Sequence, residues 1–170
     1  MTKDIMNRAY ITPKRIVTKY AGCKNNLIKD EHYLLERGNG QSEMNRKKCC
    51  IMTSTETEKA SLLLDCGSEL HGGLKLVMGS SSRREPSLVR IRFGESVGEA
   101  NSTTSNTEWK VGFSTDDHAK RDIIMEIPRD GMIEIGNTGF RFVRLDLLQN
   151  NATISLKEIS AILRYRDIPY

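Results

Sequence analysis

The chain has 170 residues, 38% of them hydrophobic and 28% charged, with 26 basic against 22 acidic side chains and a formal net charge of +4. That length can bury one sizeable hydrophobic core, and the composition is that of an ordinary globular protein. Basic residues come only in short clusters such as RKK and RR, with no aromatic residues between them, which argues against a nucleic-acid partner. No stretch approaches the apolar length of a transmembrane helix, which argues against a membrane partner.

The N-terminus, MTKDIMNRAYITPKR, has no apolar run behind its charges, so no signal peptide is read. As it stands the chain reads as cytoplasmic, with a periplasmic place open for a longer parent protein. Cys23, Cys49, Cys50 and Cys66 form no C-x-x-C pair, and adjacent Cys49 and Cys50 make a poor disulfide, so reduced thiols are expected.

The first candidate element is NNLIKDEHYLLER, whose Leu27, Tyr33, Leu34 and Leu35 fit helical spacing only in part. SLLLDCG is a short continuous apolar run, which predicts a strand covered on both sides. In GLKLVMG, Leu74, Leu76 and Met78 alternate against Lys75 and Val77. In LVRIRFGES, Val89, Ile91 and Phe93 share one face while Arg90 and Arg92 share the other. DIIMEIP aligns Ile123, Met125 and Ile127 and stops at Pro128. GFRFVRLDLL changes phase, with Phe140 and Phe142 on one parity and Val143, Leu145 and Leu147 on the other, which predicts a β-bulge near 142–143. TISLKEISAILRYR slips again near 157–158. Ile159, Ala161, Leu163 and Tyr165 are then expected to face the core, with Arg164 and Arg166 outward.

Between these runs lie the breakers ERGNGQ, GSSSRREP, GEANSTTSNT, PRDG and GNTG. About nine short strands at fairly even intervals predict an all-β fold, a jelly-roll-like β-sandwich of antiparallel strands spanning residues 1–170 as one domain.

Three stretches carry candidate chemistry. DCGSELHGGLKL (65–76) brings an acid, a thiol and an imidazole together. Cys66 and His71 nevertheless lack further ligands at zinc spacing, and no third group is present to orient a nucleophile, so no metal site and no catalytic residue are assigned. The packing alternative makes Cys66 a small apolar residue at a strand end, with Gly67, Gly72 and Gly73 permitting a turn and close backbone approach. FSTDDHAKRD holds Asp116, Asp117, His118, Arg121 and Asp122. It offers too few oxygens for calcium, and neighbours on one loop rarely face each other across a glycosidic bond; a loop held by Asp–Arg pairs is the competing reading. Trp109 is the only tryptophan, and its ring could stack on a sugar or pack in a core.

The ordered set ITPKRIV, LLLDCGSELHGGLKL, VRIRFGES, STDDHAKRD, IGNTGFRFVRLDLL and ISLKEISAILRYRDIPY resembles the N-terminal β-sandwich region of bacterial α-L-rhamnosidases, of the type found in gut Bacteroides-like bacteria. The resemblance covers residues 11–170. In that family the stretch corresponding to 65–73 reads Asp–Phe–Gly–x–Glu with Gly-Gly after it. Asp65, Gly67, Glu69, Gly72 and Gly73 match, and Cys66 stands where phenylalanine is expected, which marks a packing position.

The resemblance implies a parent enzyme that cleaves terminal α-L-rhamnose with inversion, needs no cofactor, and carries its acid and base on an (α/α)6 barrel expected after Tyr170. No catalytic residue transfers to any position here. Three functional readings follow: an accessory domain of a glycoside hydrolase, an independent carbohydrate-binding module, or a structural and partner-binding sandwich. Trp109, Asp116, Asp117, His118 and Arg121 are the candidate contacts, either to rhamnose-containing glycans or to the barrel.

Overall fold

The computed structural model describes residues 6–42, 47–81, 84–102 and 121–166. These form nine strands: β1 (Met6–Ile11), β2 (Arg15–Tyr20), β3 (Ile28–Lys29), β4 (Cys50–Thr53), β5 (Ser61–Ser81), β6 (Ser87–Gly94), β7 (Asp122–Ile127), β8 (Gly131–Leu147) and β9 (Thr153–Arg166). A 3-10 turn at Glu31–Leu35 and one short helix, α1 (Val97–Asn101), complete the described elements. The candidate helix around residue 30 is thus a two-residue strand followed by that 3-10 turn.

Every strand pair is antiparallel, and the two longest strands serve both layers of a β-sandwich. One layer runs β2, β5 (61–65), β8 (142–147), β6, β7. The other runs β8 (131–140), β5 (70–81), β9, with β1 and β4 side by side on the far edge of β9 and β3 beyond β4. SLLLDCG and GLKLVMG are therefore two halves of one 21-residue strand, not two short strands.

The joint between the halves is the 65–72 stretch. Asp65 pairs with Phe142 and Leu70 with Phe140, so residues 66–69 lie opposite Arg141 alone and β5 carries three extra residues. Gly67, at φ +94°, takes the left-handed backbone that such a bulge needs. GNTG (136–139), a breaker in the sequence, is likewise inside a strand. Gly72 pairs with Thr138 and Leu74 with Ile135, which leaves one residue extra on β8.

The alternation read from sequence sets the core. Val89, Ile91, Phe93, Leu74, Leu76, Met78, Ile127 and Phe140 are buried in one cluster between the layers. Phe93 and Phe140 meet edge-on with ring centroids 4.9 Å apart, an arrangement that adds about 1 kcal/mol to area burial. Leu62 and Leu64 face this core while Leu63 packs with Phe142, Ala100 and Val17 on the outer side, so the strand is covered on both faces as its apolar run predicts. Phe140 and Val143 lie in the main cluster and Phe142 in the outer one, which places the phase slip one residue earlier than 142–143. The slip in β9 falls at Lys157, because Val77 pairs with Glu158 and Met78 with Leu156.

Two outward positions are buried despite their charge. Arg92 is covered by α1 and the chain leaving it, and Lys75 by the segment 36–42. Tyr165, expected in the core, is 44% exposed. Beyond Leu163 strand β9 pairs only with β1, so Tyr165 runs past the layer that would cover it.

Candidate functional site

Trp109, Asp116, Asp117 and His118 lie outside the described residues; Arg121 lies inside them, just before β7. Its Nη2 donates to Glu95 Oε1 at 2.7 Å and its Nη1 to Glu99 Oε2 at 3.2 Å. Its carbonyl accepts from the Phe93 amide at 2.8 Å. Arg121 is thus paired with two glutamates from outside its own stretch, and not with an aspartate of FSTDDHAKRD.

Glu95 lies just before α1 and Glu99 within it; residues 98–101, the start of GEANSTTSNT, thus fold in this helix and not as a loop. Ser96 caps it by accepting from the Glu99 amide at 3.2 Å, and Glu99 Oε2 accepts from the Glu95 amide at 2.9 Å. The sequence signal for this helix is the S-x-x-E capping pattern Ser96–Glu99, which strand periodicity does not pick up.

The other end of the 103–120 segment is fixed at the same place. Arg92 Nη1 donates to the carbonyls of Asn101 (3.1 Å) and Ser102 (3.0 Å), and Nη2 donates to Asp146 Oδ2 at 2.7 Å. Arg144 donates to Asp146 Oδ1 at 2.9 Å and to Asn101 Oδ1 at 2.7 Å. Arg90 grips Asp122 with Nε at 2.7 Å and Nη2 at 2.5 Å, and this bond raises the Arg90 pKa further. Between the two clamped ends lies a shallow pocket of about 100 Å³, lined by Arg92, Phe93, Glu99, Ser102, Arg121 and Asp122. Its arginine donors are fixed by the bonds just described, and the Phe93 ring itself packs in the core against Phe140.

The 65–76 stretch resolves differently from either chemical reading. Cys66 is buried in the main core, and burial pushes its thiol up to about 12, so it is un-ionised at neutral pH. His71 is exposed. Among the described residues no group of three or more His, Cys, Asp or Glu side chains could hold a metal ion.

The active member of the stretch is Asp65, 2% exposed. Its carboxylate accepts from Arg141 Nε (2.8 Å) and Nη2 (3.0 Å), from Arg15 Nε (3.0 Å) and from the Gly67 amide (2.8 Å). The Arg141 guanidinium leads in holding this carboxyl well below the usual carboxylate range, against the opposing effect of burial. Neither arginine is a candidate from the sequence. They stand 50 and 76 positions away from Asp65, and nothing local announces them.

No family model and no curated protein matches the chain. Solved structures do match its fold. A rhamnosidase from Klebsiella oxytoca, solved with rhamnose bound, superposes at a TM-score of 0.56 and 14% identity over 94% of this chain. The C-terminal domain of a chitobiase from Bacteroides fragilis gives 0.54 and 10%, covering 94% of this chain and 100% of that one. A fucose-binding module from Streptococcus pneumoniae gives 0.53 and 10%, covering 93% and 96%. The chain spans 29% of the length of the rhamnosidase it matches. At these identities the likeness is one of fold: a rhamnosidase-like β-sandwich shared with a fucose-binding module and a chitobiase domain.

Proposed function

We propose that the chain is a non-catalytic accessory domain of a glycoside hydrolase resembling the α-L-rhamnosidases of Bacteroides-like bacteria, with the inverting acid–base pair on an (α/α)6 barrel after Tyr170. The observation that carries this reading is the state of the carboxylates. Inverting hydrolysis needs two carboxyl groups facing each other about 6.5–9.5 Å apart, one of them protonated. The buried carboxylates among the described residues are Asp65, Asp146 and Glu158, and each is held by arginine or lysine. Asp65 is kept ionised by Arg141. Burial alone would raise Glu158, but hydrogen bonds from Ser160, Lys75 and the Gly40 amide bring it below its ordinary value. A general acid requires the opposite shift.

In this reading Trp109, Asp116, Asp117, His118 and Arg121 meet a rhamnose-containing glycan or the barrel, with Arg121 itself held by Glu95 and Glu99. The near-complete overlap with a fucose-binding module supports the second reading, an independent carbohydrate-binding module.

The chain incubated with an aryl α-L-rhamnoside should give no turnover. Turnover that disappears in Asp116→Asn or Asp117→Asn overturns the non-catalytic reading. Because Trp109 is the sole tryptophan, its emission reports on sugar contact directly. A rhamnose-containing oligosaccharide should shift that emission saturably. A flat titration, with a helical barrel encoded downstream of Tyr170, leaves contact with the barrel as the role of this surface.

A further inference from the structure

We infer that the corner built on Asp65 is a subsite for the carboxylate of an acidic sugar, a uronate; this rests on the glycan-binding reading above and names a ligand class for it. Two guanidinium groups converge on one buried carboxylate. Arg141 spends Nε and Nη2 on Asp65, and Arg15 spends only Nε. Among the described residues, Arg141 Nη1 and both Nη groups of Arg15 have no protein partner, and the two side chains are 39% and 63% exposed. Arg141 also lies over the Phe142 ring, 5.0 Å from its centroid, which fixes the plane of its fork. Lys14 packs against Gly67 beside them.

A second carboxylate arriving at this corner meets guanidinium donors that Asp65 has already oriented. It therefore forms charge-assisted bonds with little ordering cost. The local charge selects the ligand further. Three cations, Lys14, Arg15 and Arg141, stand against the single buried carboxylate of Asp65, so the corner has positive charge in excess and one extra negative charge is balanced. Ser68, Glu69 and His71 of the same stretch are exposed, with hydroxyl, carboxylate and imidazole groups open to solvent. A sugar bearing a single carboxylate matches both features.

The test titrates the full chain with galacturonate, galactose and sulfate at low ionic strength, following the arginine Nε–Hε resonances by NMR. Galacturonate should shift them saturably and galactose should not. Arg15→Gln should weaken galacturonate binding about tenfold or more while leaving the unfolding midpoint nearly unchanged, since Arg141 keeps its two bonds to Asp65. Arg141→Gln should weaken it at least as much. No saturable response to galacturonate overturns the inference, and so does an equal response to sulfate, which reduces the corner to a general anion patch. The Trp109 titration with a rhamnose oligosaccharide separates the two proposals. A rhamnose response without a galacturonate response defeats the uronate subsite alone. A galacturonate response without a rhamnose response supports the subsite and defeats only the choice of rhamnose.

Discussion

Asp65 shows how much one side chain can organise. It joins β5 to β2 through Arg15, β5 to β8 through Arg141, and closes its own bulge through the Gly67 amide. Replacing it with asparagine removes the charge from these bonds and should cost about 2 kcal/mol at neutral pH, less than for a fully buried pair because the freed arginines can reach water. The pH dependence has a definite sign. The folded-state pKa is depressed, so this stabilisation is complete above the ordinary carboxylate range and is lost as pH falls below it toward the folded value. Urea unfolding near neutral pH and in acid should therefore show a smaller acid-induced loss in Asp65→Asn than in the native chain; an equal loss would mean that other carboxylates carry it. The thiols give a second residue-scale expectation. Burial raises Cys50 and Cys66 to about 12, Cys49 is buried, and Cys23 alone is exposed, although the neighbouring Glu58 raises its pKa as well. A thiol reagent should label one cysteine in the folded protein, slowly, and the other three only on unfolding. Periodicity tells which way such residues face but not what meets them. The partners of Asp65 come from β2 and β8, and the cover over Lys75 comes from residues 36–42, whose Gly38 and Gly40 backbone lies against Glu158 and Lys75.

At the scale of elements, the glycines divide by what surrounds them. A Cβ on Gly72 would sit 1.7 Å from the Ile162 carbonyl oxygen of β9, where backbone cannot give way without breaking the ladder. Gly131 has φ +92°, but a Cβ there would meet nothing within 4 Å, so its replacement carries only backbone strain. Gly131→Ala should cost about 1–2 kcal/mol, and Gly72→Ala at least twice that or loss of folding. Thermal unfolding of the two variants, run side by side, checks the order; equal midpoints would mean that β5 and β9 separate more easily than their register suggests. The same positions explain why strand ends are harder to read than strand faces. Alternation identifies Val89, Ile91 and Phe93 correctly because it depends only on neighbours two apart. A glycine-containing bulge and a glycine-containing turn share one composition, and only pairing with a distant strand distinguishes them. DCGSELHGG and GNTG therefore read as interruptions although β5 and β8 run through both.

For the whole molecule, the consequence of those two continuous strands is cooperativity. Residues 61–65 of β5 belong to one layer and 70–81 to the other, and β8 makes the same crossing in reverse. Neither layer can separate without breaking a strand that the other needs, and a single apolar cluster lies between them. Secondary and tertiary signals should therefore be lost in one transition with coincident midpoints. Native-state hydrogen exchange tests this more sharply. The amides of Leu62 and Leu64 in one layer and of Leu74 and Leu76 in the other should open with the same free energy, whereas the amide of Gly40, bonded only to Glu158 Oε2, should open at lower cost. Refolding should be slow for a chain of this size, in the millisecond-to-second range, because β1 must find β9 and β2 must find β5 across long stretches of sequence. Two separated unfolding transitions, or exchange in residues 61–65 at a free energy well below that of 74–78, would show that the corner at Asp65 acts as a hinge between independently stable halves and not as a rigid joint.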